Sequence, residues 1–451
     1  MQPRANALNG DRGNMTRPVG IDLFAGAGGM SLGFEQAGFD VVAAVEIDPI
    51  HAAVHAYNFP HCKVISRSVV GLEAGEIRRA AGLGHRKVDV VFGGAPCQGF
   101  SLIGQRAIDD PRNALVKEFV RLVVELDASY FVFENVKGLT VGRHVEILFD
   151  MIAEFAARGY DVVQPWRILN AACFGVPQNR ERLFLMGAKR GQSLPGYPDQ
   201  ITRPAGSLKA SALPEGPSCH DALSDIPDAE KYRVLLASDS CKVSWGSPST
   251  YAMGLRGLTN DANGLGYGRH WDAGQLTSSL RTDHTELSRR RFAQTPGGEV
   301  EPISRFYRLP RGGVANTLRA GTDSARGAFT SPRPIHYKYP RCVTVREMMR
   351  LHGYPDWFRM HATKWHGARQ VGNSVPPPLA QAVASMVVAA SGFNPTVPHQ
   401  VVTLGDPRLL TMEMTEAASF FGIAVPIKQR TRKVTSRSLP PSDEQSSIAA
   451  E

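Results

Sequence analysis

The 451-residue sequence lacks the features that mark membrane, secreted and disulfide-rich proteins. No apolar run approaches the roughly 20 residues that a transmembrane helix needs. Residues 1–18 have no apolar signal-peptide centre, so we expect a flexible polar arm there and a cytoplasmic protein with no membrane partner. The six cysteines are scattered, with no Cys-x-x-Cys pair and no Cys/His cluster, which argues against a metal site or a disulfide framework.

The overall composition is typical of a globular protein with a basic surface. Hydrophobic residues make up 43% of the chain, enough for a true core. Lysine and arginine total 51 against 42 acidic residues, a net charge of +9. This balance suits a polyanionic partner, but many basic proteins bind no nucleic acid, so charge alone leaves that question open.

The first 190 residues alternate short apolar runs with amphipathic stretches, which predicts an α/β fold with βα units on a parallel sheet. Strands are predicted at 19–24, 39–48, 87–94, 130–136 and 182–188, and helices at 51–59, 114–126 and 146–159. From about 190 to 335 glycine, proline and serine increase and arginines gather, which predicts a separate, loop-rich lobe with short strands. Helical patterns return at 344–358, 375–390 and 414–425, before a C-terminal segment with a disordered composition.

The segment "DLFAGAGGMSLGF" (22–34) follows a strand and opens a helix, as a nucleotide-type cofactor loop does. Its glycines would let a ligand approach the backbone closely: Gly26, Gly28 and Gly29. About 20 residues further on, Glu46 ends the second strand, where its carboxylate could bind both hydroxyls of a ribose. Asp22 and Phe24 would add a polar anchor and an aromatic face for an adenine. The alternative is a tight strand–helix turn without a ligand.

Cys97 lies in the glycine-containing stretch "FGGAPCQGFS" (92–101), directly after a predicted strand. A free cysteine has a pKa of about 8.5, so a nucleophilic role requires a nearby positive group or a substrate that becomes electrophilic on binding. A single cysteine more commonly fills space in a core. Cys97 by itself therefore leaves both interpretations open.

Glu134 in "FENV" ends a predicted strand at the same sheet edge as the two glycine-containing loops. Partial burial there would raise its pKa towards a value useful for proton donation. The alternative is a surface glutamate that caps the following helix. Arg180 and Arg182 in "GVPQNRERLF" alternate at a strand start, where ordinary solvated charge is the simplest interpretation.

Taken in order, these segments resemble the bacterial DNA (cytosine-5) methyltransferases, of restriction-modification or orphan type. Seven stretches carry the resemblance: "DLFAGAGGMSLGF", "VEIDP", "GGAPCQGFS", "FENV", "PQNRERLF", "TVREMMRLHGYPD" and "QVGNSVPPPLAQAV". It implies a Rossmann-like, S-adenosylmethionine-dependent sheet domain at 19–190 and a smaller target recognition domain at 191–335. A return segment at 336–393 would complete the catalytic domain, and 394–451 would be a partly disordered extension.

The resemblance also implies roles for individual residues. Phe24 would pack on the adenine of S-adenosylmethionine and Glu46 would bind its ribose. The remaining cofactor contacts would come from Asp22, Gly26, Gly28, Gly29, Ile47, Pro96, Leu115, Asn373 and Ser374. Cys97 would attack C6 of a cytosine flipped out of duplex DNA. Glu134 would hold and protonate N3, Arg182 would steady O2, and Arg180 would contact the neighbouring backbone.

Two parts of the resemblance are incomplete. The family's usual acid for the adenine amine is absent from "VISRSVVGL", where Arg67 or Ser68 stands near that position, so the contact stays unassigned. The sequence names no base for the C5 proton, and we expect water to accept it. The loop at 101–113 matches a mobile loop that closes over the base, or it is a plain surface loop. Candidate DNA contacts there and next to the nucleophile are Gln98, Ser101, Gln105 and Arg106.

The implied activity is sequence-specific methylation of cytosine in double-stranded DNA by a monomer associated with the bacterial nucleoid, with or without a separate cognate endonuclease. Arginines of the lobe would read bases and hold phosphates. One alternative is a tRNA cytosine-5 methyltransferase on the same scaffold, against which the long arginine-rich lobe argues. Another is a non-catalytic DNA-binding relative, which should have a damaged motif, yet Cys97, Glu134, Arg180 and Arg182 are all present.

Overall fold

A computed structural model describes residues 17–96, 113–259, 261–322 and 332–426. Four predicted features lie wholly or mostly outside these ranges: the N-terminal arm, the loop that contains Cys97, the loop at 101–113 and the end of the C-terminal extension. Among the described residues, no helix has the length and apolarity that crossing a membrane requires.

The centre of the molecule is an eight-stranded sheet with strand order β3-β2-β1-β4-β5-β8-β6, in which β7 also pairs with β8. The strands are β1 Val19–Leu23, β2 Asp40–Val45, β3 Lys63–Ile65, β4 Val90–Gly93, β5 Tyr130–Val136, β6 Tyr160–Val162, β7 Arg167–Asn170 and β8 Glu181–Lys189. Strands β1 to β5 run parallel to one another, and β8 runs antiparallel to β5, β6 and β7. The predicted α/β class and the five predicted strands are confirmed.

Helices cover both faces of this sheet because successive strand residues point to opposite sides. In β4, Val90 and Phe92 pack with one apolar cluster and Val91 with another. The helices of this region are α1 Gly29–Gln36, α2 Pro49–Asn58, α3 Ala74–Ala80, α4 Ala114–Glu125 and α5 Val145–Ala157. Asp48 caps α2 by accepting hydrogen bonds from the backbone N–H groups of Ile50 and His51.

The segment predicted as a separate lobe contains only short elements. They are α6 Cys219–Leu223, β9 Cys241–Lys242, α7 Thr250–Leu255, β10 Gly268–His270, β11 Gln275–Leu276 and α8 Glu286–Gln294. Its apolar side chains, such as Leu235 and Leu309, share one core cluster with Met348 of the return segment and Val54 of α2. The lobe is therefore packed onto the rest of the protein, and its boundaries stay a prediction.

The return segment and the extension wrap around the sheet domain. Their elements are α9 Val345–Arg350, α10 Lys364–Asn373, α11 Pro377–Ser391, β12 Val401–Thr403 and α12 Met414–Phe420. Helix α11 packs on α1, while α12 packs on α2 and β12 pairs in parallel with β10. The first part of the extension is thus built into the fold, next to both the lobe and the sheet domain.

Buried ion pairs fasten the lobe to α9. Arg350 donates to Asp225 of the lobe at 3.1 Å and to Asp356 at 2.6 Å. Arg341 donates to Glu347 at 2.8 Å and to Asp228 of the lobe at 2.9 Å. Both arginines belong to the return segment and are buried, so they add little positive charge to the protein surface.

Candidate active site

A cavity of about 830 Å³ lies where β1, β2, β4 and β5 end. Ligands bind at this edge of open parallel sheets because the connecting loops diverge there. The predicted site residues that line it are Asp22, Phe24, Gly26, Gly29, Glu46, Ile47, Pro96, Leu115, Glu134, Arg180, Arg182, Asn373 and Ser374. Residues distant in the sequence therefore meet around one cavity.

The glycine loop forms one wall of this cavity. Phe24 adopts a left-handed backbone conformation with φ of 64°, which is rare for a bulky residue and turns the chain sharply after β1. Gly29 lies against the return segment, since a Cβ there would be 2.6 Å from the Val375 carbonyl oxygen. Gly28 is not among the lining residues, and a Cβ on it would overlap the Phe59 ring. Its predicted cofactor contact therefore stays a prediction.

Glu46 is held rigidly at the end of β2. Its two carboxylate oxygens accept hydrogen bonds from the backbone N–H groups of Gly26 and Asp48, each at 2.8 Å. Burial raises the pKa of the Glu46 carboxyl above its ordinary value. Each oxygen keeps a further lone pair that a ligand hydroxyl can use.

Glu134 and Arg182 form an ion pair in the opposite wall. The Arg182 Nε lies 2.9 Å from Glu134 Oε1, and both side chains are almost fully buried. Burial raises the pKa of Glu134, although Arg182 and Arg180 act in the opposite direction. A Cβ on Gly94 would overlap Glu134 Oε2, so only glycine lets the loop after β4 pass this closely. A glutamate with a raised pKa suits proton exchange with a ligand.

Arg180 is completely buried, so the interpretation as ordinary solvated charge is wrong for this residue. Its guanidinium donates to the carbonyl oxygens of Leu318, Gly372 and Ser374 at 2.8 to 3.1 Å. Burial, together with Arg182, lowers the pKa of Arg180 to about 9. Arg180 thus ties the lobe and the return segment to the catalytic wall, and its predicted contact with a nucleic-acid backbone stays a prediction.

Asn135, which sequence reasoning did not single out, holds the start of the cysteine loop. Its side-chain amide donates to the Ala95 carbonyl oxygen at 3.0 Å, two residues before Cys97. Cys97 itself lies outside the described residues, as do the candidate DNA contacts Gln98, Ser101, Gln105 and Arg106. The loop therefore leaves β4 beside Glu134, and the position of its thiol stays a prediction.

The lobe supplies a wall of the cavity that the sequence did not predict. Residues 317–322 line it, and Gly372 of α10 packs directly against the backbone of this segment. This segment is anchored because Thr317 donates to the Asn179 carbonyl oxygen at 2.7 Å and the Leu318 N–H donates to the Gln178 side chain at 3.1 Å. In the sequence, "VANTLRAG" has the composition of an ordinary surface loop, and no motif in it indicates that it lines the cavity.

Both candidates for the unassigned contact after β3 line the cavity. The Arg67 guanidinium is paired with Glu76 at 2.8 Å, whereas the Ser68 hydroxyl accepts from the backbone N–H of Val70 at 3.1 Å. Ser68 keeps a hydroxyl proton for a ligand. Within the described ranges, no group of three or more His, Cys, Asp or Glu side chains is arranged to hold a metal ion.

Comparison with known proteins gives a consistent result. Residues 19–389 match the model of the C-5 cytosine-specific DNA methylase family. The chain is 56% identical to the type II methyltransferase M.XorII of Xanthomonas oryzae, over 94% of this chain and 97% of that protein. It is 34% identical to M1.HphI of Haemophilus parahaemolyticus, over 82% and 86% of the two chains. A putative prophage-encoded DNA modification methyltransferase from Escherichia coli has a similar structure, with a TM-score of 0.66 and 31% identity over 83% of this chain and all of that one.

Proposed function

Because the chain belongs to the C-5 cytosine-specific DNA methylase family and is therefore a DNA (cytosine-5) methyltransferase, we propose that its cavity holds S-adenosylmethionine and a flipped-out cytosine side by side. The observation that carries this proposal is the buried Glu134–Arg182 pair, which faces the glycine loop and Glu46 across one cavity. The loop that leads to Cys97 passes directly over Glu134.

The described residues fit this cofactor. Glu46 suits the two ribose hydroxyls and Phe24 offers an aromatic face to the adenine. The Asp22 carboxyl suits the positively charged groups of the methionine part of the molecule. Asn373 and Ser374 close the cavity from the return segment. When bound, the cofactor supplies a methyl group on a positively charged sulfur, which an electron-rich carbon can take without a metal.

The protein's own groups make cytosine C5 electron-rich. The Cys97 thiolate adds to C6 of the base while Glu134 gives its proton to N3, which leaves an enamine with electron density at C5. Arg182 donates to O2 and holds the ring against Glu134. After C5 has taken the methyl group, water removes the C5 proton, Glu134 regains the N3 proton and the Cys97–C6 bond breaks. General acid catalysis by Glu134 is worth roughly 10²–10⁴ in rate.

The region at 191–335 acts as the target recognition domain in this proposal, and 19–190 with 336–393 as the catalytic domain. Base flipping is required because C5 and C6 are inaccessible in a stacked duplex. Gln98, Ser101, Gln105 and Arg106 would contact the DNA around the flipped base. In the "RRR" run of α8, each arginine has an acidic partner: Arg289 pairs with Glu230, Arg291 with Glu301, and Arg290 with Glu286. The Arg290–Glu286 pair is exposed on the surface.

The similarity to M.XorII and M1.HphI, which are named type II methyltransferases, supports a role in a restriction-modification system. A monomeric state and a separate cognate endonuclease are further parts of this proposal. Such an enzyme works in the cytoplasm on chromosomal DNA. A tRNA substrate is not favoured by these relatives, which are named as type II methyltransferases.

Transfer of a labelled methyl group to duplex DNA and to tRNA tests the proposal. We expect labelled 5-methylcytosine in DNA only, within one short sequence found by bisulfite sequencing of DNA from expressing cells. Cys97→Ser should abolish transfer, whereas Cys241→Ser, which changes a half-buried thiol of the lobe, should not. Full activity of Cys97→Ser, or transfer to tRNA alone, would contradict the proposal.

A further inference from the structure

A chain of three buried polar side chains leads from the cofactor cavity into the protein, and the proposed reaction does not use its far end. Asp22 on β1 lines the cavity and is 1% exposed, while Ser31 on α1 and His55 on α2 are completely buried. The Ser31 hydroxyl donates to Asp22 Oδ2 at 2.6 Å and lies 2.9 Å from His55 Nε2.

The direction of these hydrogen bonds depends on the charge of Asp22. An ionised carboxylate only accepts, so Ser31 must donate to it and accept from a proton on His55 Nε2. A protonated Asp22 allows the reverse order, in which Ser31 donates to His55 Nε2 and the imidazole proton sits on Nδ1. His55 Nδ1 is buried and has no hydrogen-bond partner among the described residues, so this second state leaves a buried N–H unsatisfied.

The surroundings of Asp22 make its protonated form accessible near neutral pH. Burial raises the pKa of Asp22 to about 8, and the Glu46 carboxyl at the end of β2 adds to the rise. The thiol of Cys62, after α2, is the other ionisable neighbour on which Asp22 acts. Burial lowers the pKa of His55 to about 3, so this ring stays neutral and can change only its tautomer.

We propose that Asp22, Ser31 and His55 distinguish the methyl donor, which carries a sulfonium, from its thioether product by exchange of one proton. This inference rests on the proposed function. The sulfonium of S-adenosylmethionine gives the donor one more positive charge than S-adenosylhomocysteine. Binding of the donor favours the ionised Asp22, and the carboxyl proton leaves to solvent. Once the methyl group has been transferred the extra charge is gone and Asp22 takes a proton back from solvent.

The proposal predicts different pH dependences for the two ligands. Below pH 8 the free enzyme carries the Asp22 proton, so donor binding must release it. Donor affinity should therefore rise with pH by up to about tenfold per unit between pH 6 and 8 and level off above pH 8. Affinity for S-adenosylhomocysteine should change much less over the same range.

Isothermal titration calorimetry of the full-length enzyme at pH 7, in two buffers with different ionisation enthalpies, counts the protons released. We expect about one proton for S-adenosylmethionine and clearly fewer for S-adenosylhomocysteine. Asp22→Asn should abolish the difference. Equal proton release for the two ligands in the wild type would overturn the proposal, whatever the variant does. Failure of the proposed function would look different, because the wild type would then bind neither ligand.

Two measurements test the role of His55 as a positioning residue: its tautomer and the pH dependence of donor affinity in a His55 variant. Donor binding should move the His55 proton from Nδ1 to Nε2, which the ¹⁵N chemical shifts of a histidine-labelled sample report. His55→Leu should shift the rise in donor affinity to higher pH, since the ionised Asp22 loses the donor behind Ser31. His85→Gln, at an exposed position, is the matched control and should leave both profiles unchanged. An unchanged His55 tautomer together with an unchanged profile in His55→Leu would overturn this role.

Discussion

Replacing Glu134 by glutamine removes a proton donor while the shape of the cavity wall is kept. The glutamine carbonyl can still accept the hydrogen bond that Arg182 Nε makes at 2.9 Å, so the two side chains should stay in place. An amide cannot give N3 of cytosine a proton, however. The loss of general acid catalysis should lower kcat about 10²- to 10⁴-fold, or roughly 3–5 kcal/mol in the barrier. KM for DNA should change little, because the base is still held.

Single-turnover methyl transfer to duplex DNA measures this effect, with Glu181→Gln as the control. Glu181 is next to Arg182 but pairs with Lys137 at the surface, so its variant should stay within about twofold of wild type. Because burial raises the pKa of Glu134, wild-type transfer should decline as the pH rises through that raised pKa, and Glu134→Gln should lack this decline. A Glu134→Gln enzyme with near wild-type kcat would refute the assignment of Glu134 as the proton donor.

Three further predictions concern stability and are measured by urea unfolding. Gly33→Ala should destabilise by about 1–3 kcal/mol, because its Cβ would lie 2.7 Å from backbone atoms of α11, whereas Gly254→Ala in open space should not. Arg180→Met should cost about 3 kcal/mol, as three buried carbonyl groups lose a charged donor. Although burial opposes ionisation, Arg341 holds the pKa of Glu347 at about 2. The stabilisation that ionised Glu347 provides is therefore complete above its ordinary pKa of 4.5 and is lost as the pH falls towards 2. In Glu347→Gln, the free energy of unfolding should depend less on pH over this range.

The sheet could be predicted where the sequence has apolar strand-length runs. The strand at 130–136 is found with those bounds, because six of its seven residues are buried. Strands β6 and β7 were not predicted, since they are only three and four residues long and lie partly exposed, with no clear pattern. Local sequence carries little information about elements that tertiary pairing with β8 creates.

The candidate site was predictable where a motif follows a strand end, as at Glu46 and Glu134. Arg180 was predicted as a site residue, but its burial was not, because its partners are carbonyl groups 138 to 194 residues away and no sequence pattern marks a carbonyl. The contact between Ser31 and His55 was also not predicted, because the two residues lie on different helices and neither helix has a motif that indicates the other. The arginines of the lobe were interpreted as DNA-facing, yet Arg269 is buried against Glu35.

The most direct test of the account is the covalent bond between Cys97 and cytosine. A duplex that carries 5-fluorocytosine at the methylated position should trap this bond, because fluorine at C5 cannot leave as a proton does. After incubation with S-adenosylmethionine, intact-mass spectrometry should show enzyme plus DNA plus one methyl group, and peptide mapping should place the link on Cys97. No adduct with the wild type, or an adduct that persists in Cys97→Ser, would contradict the mechanism.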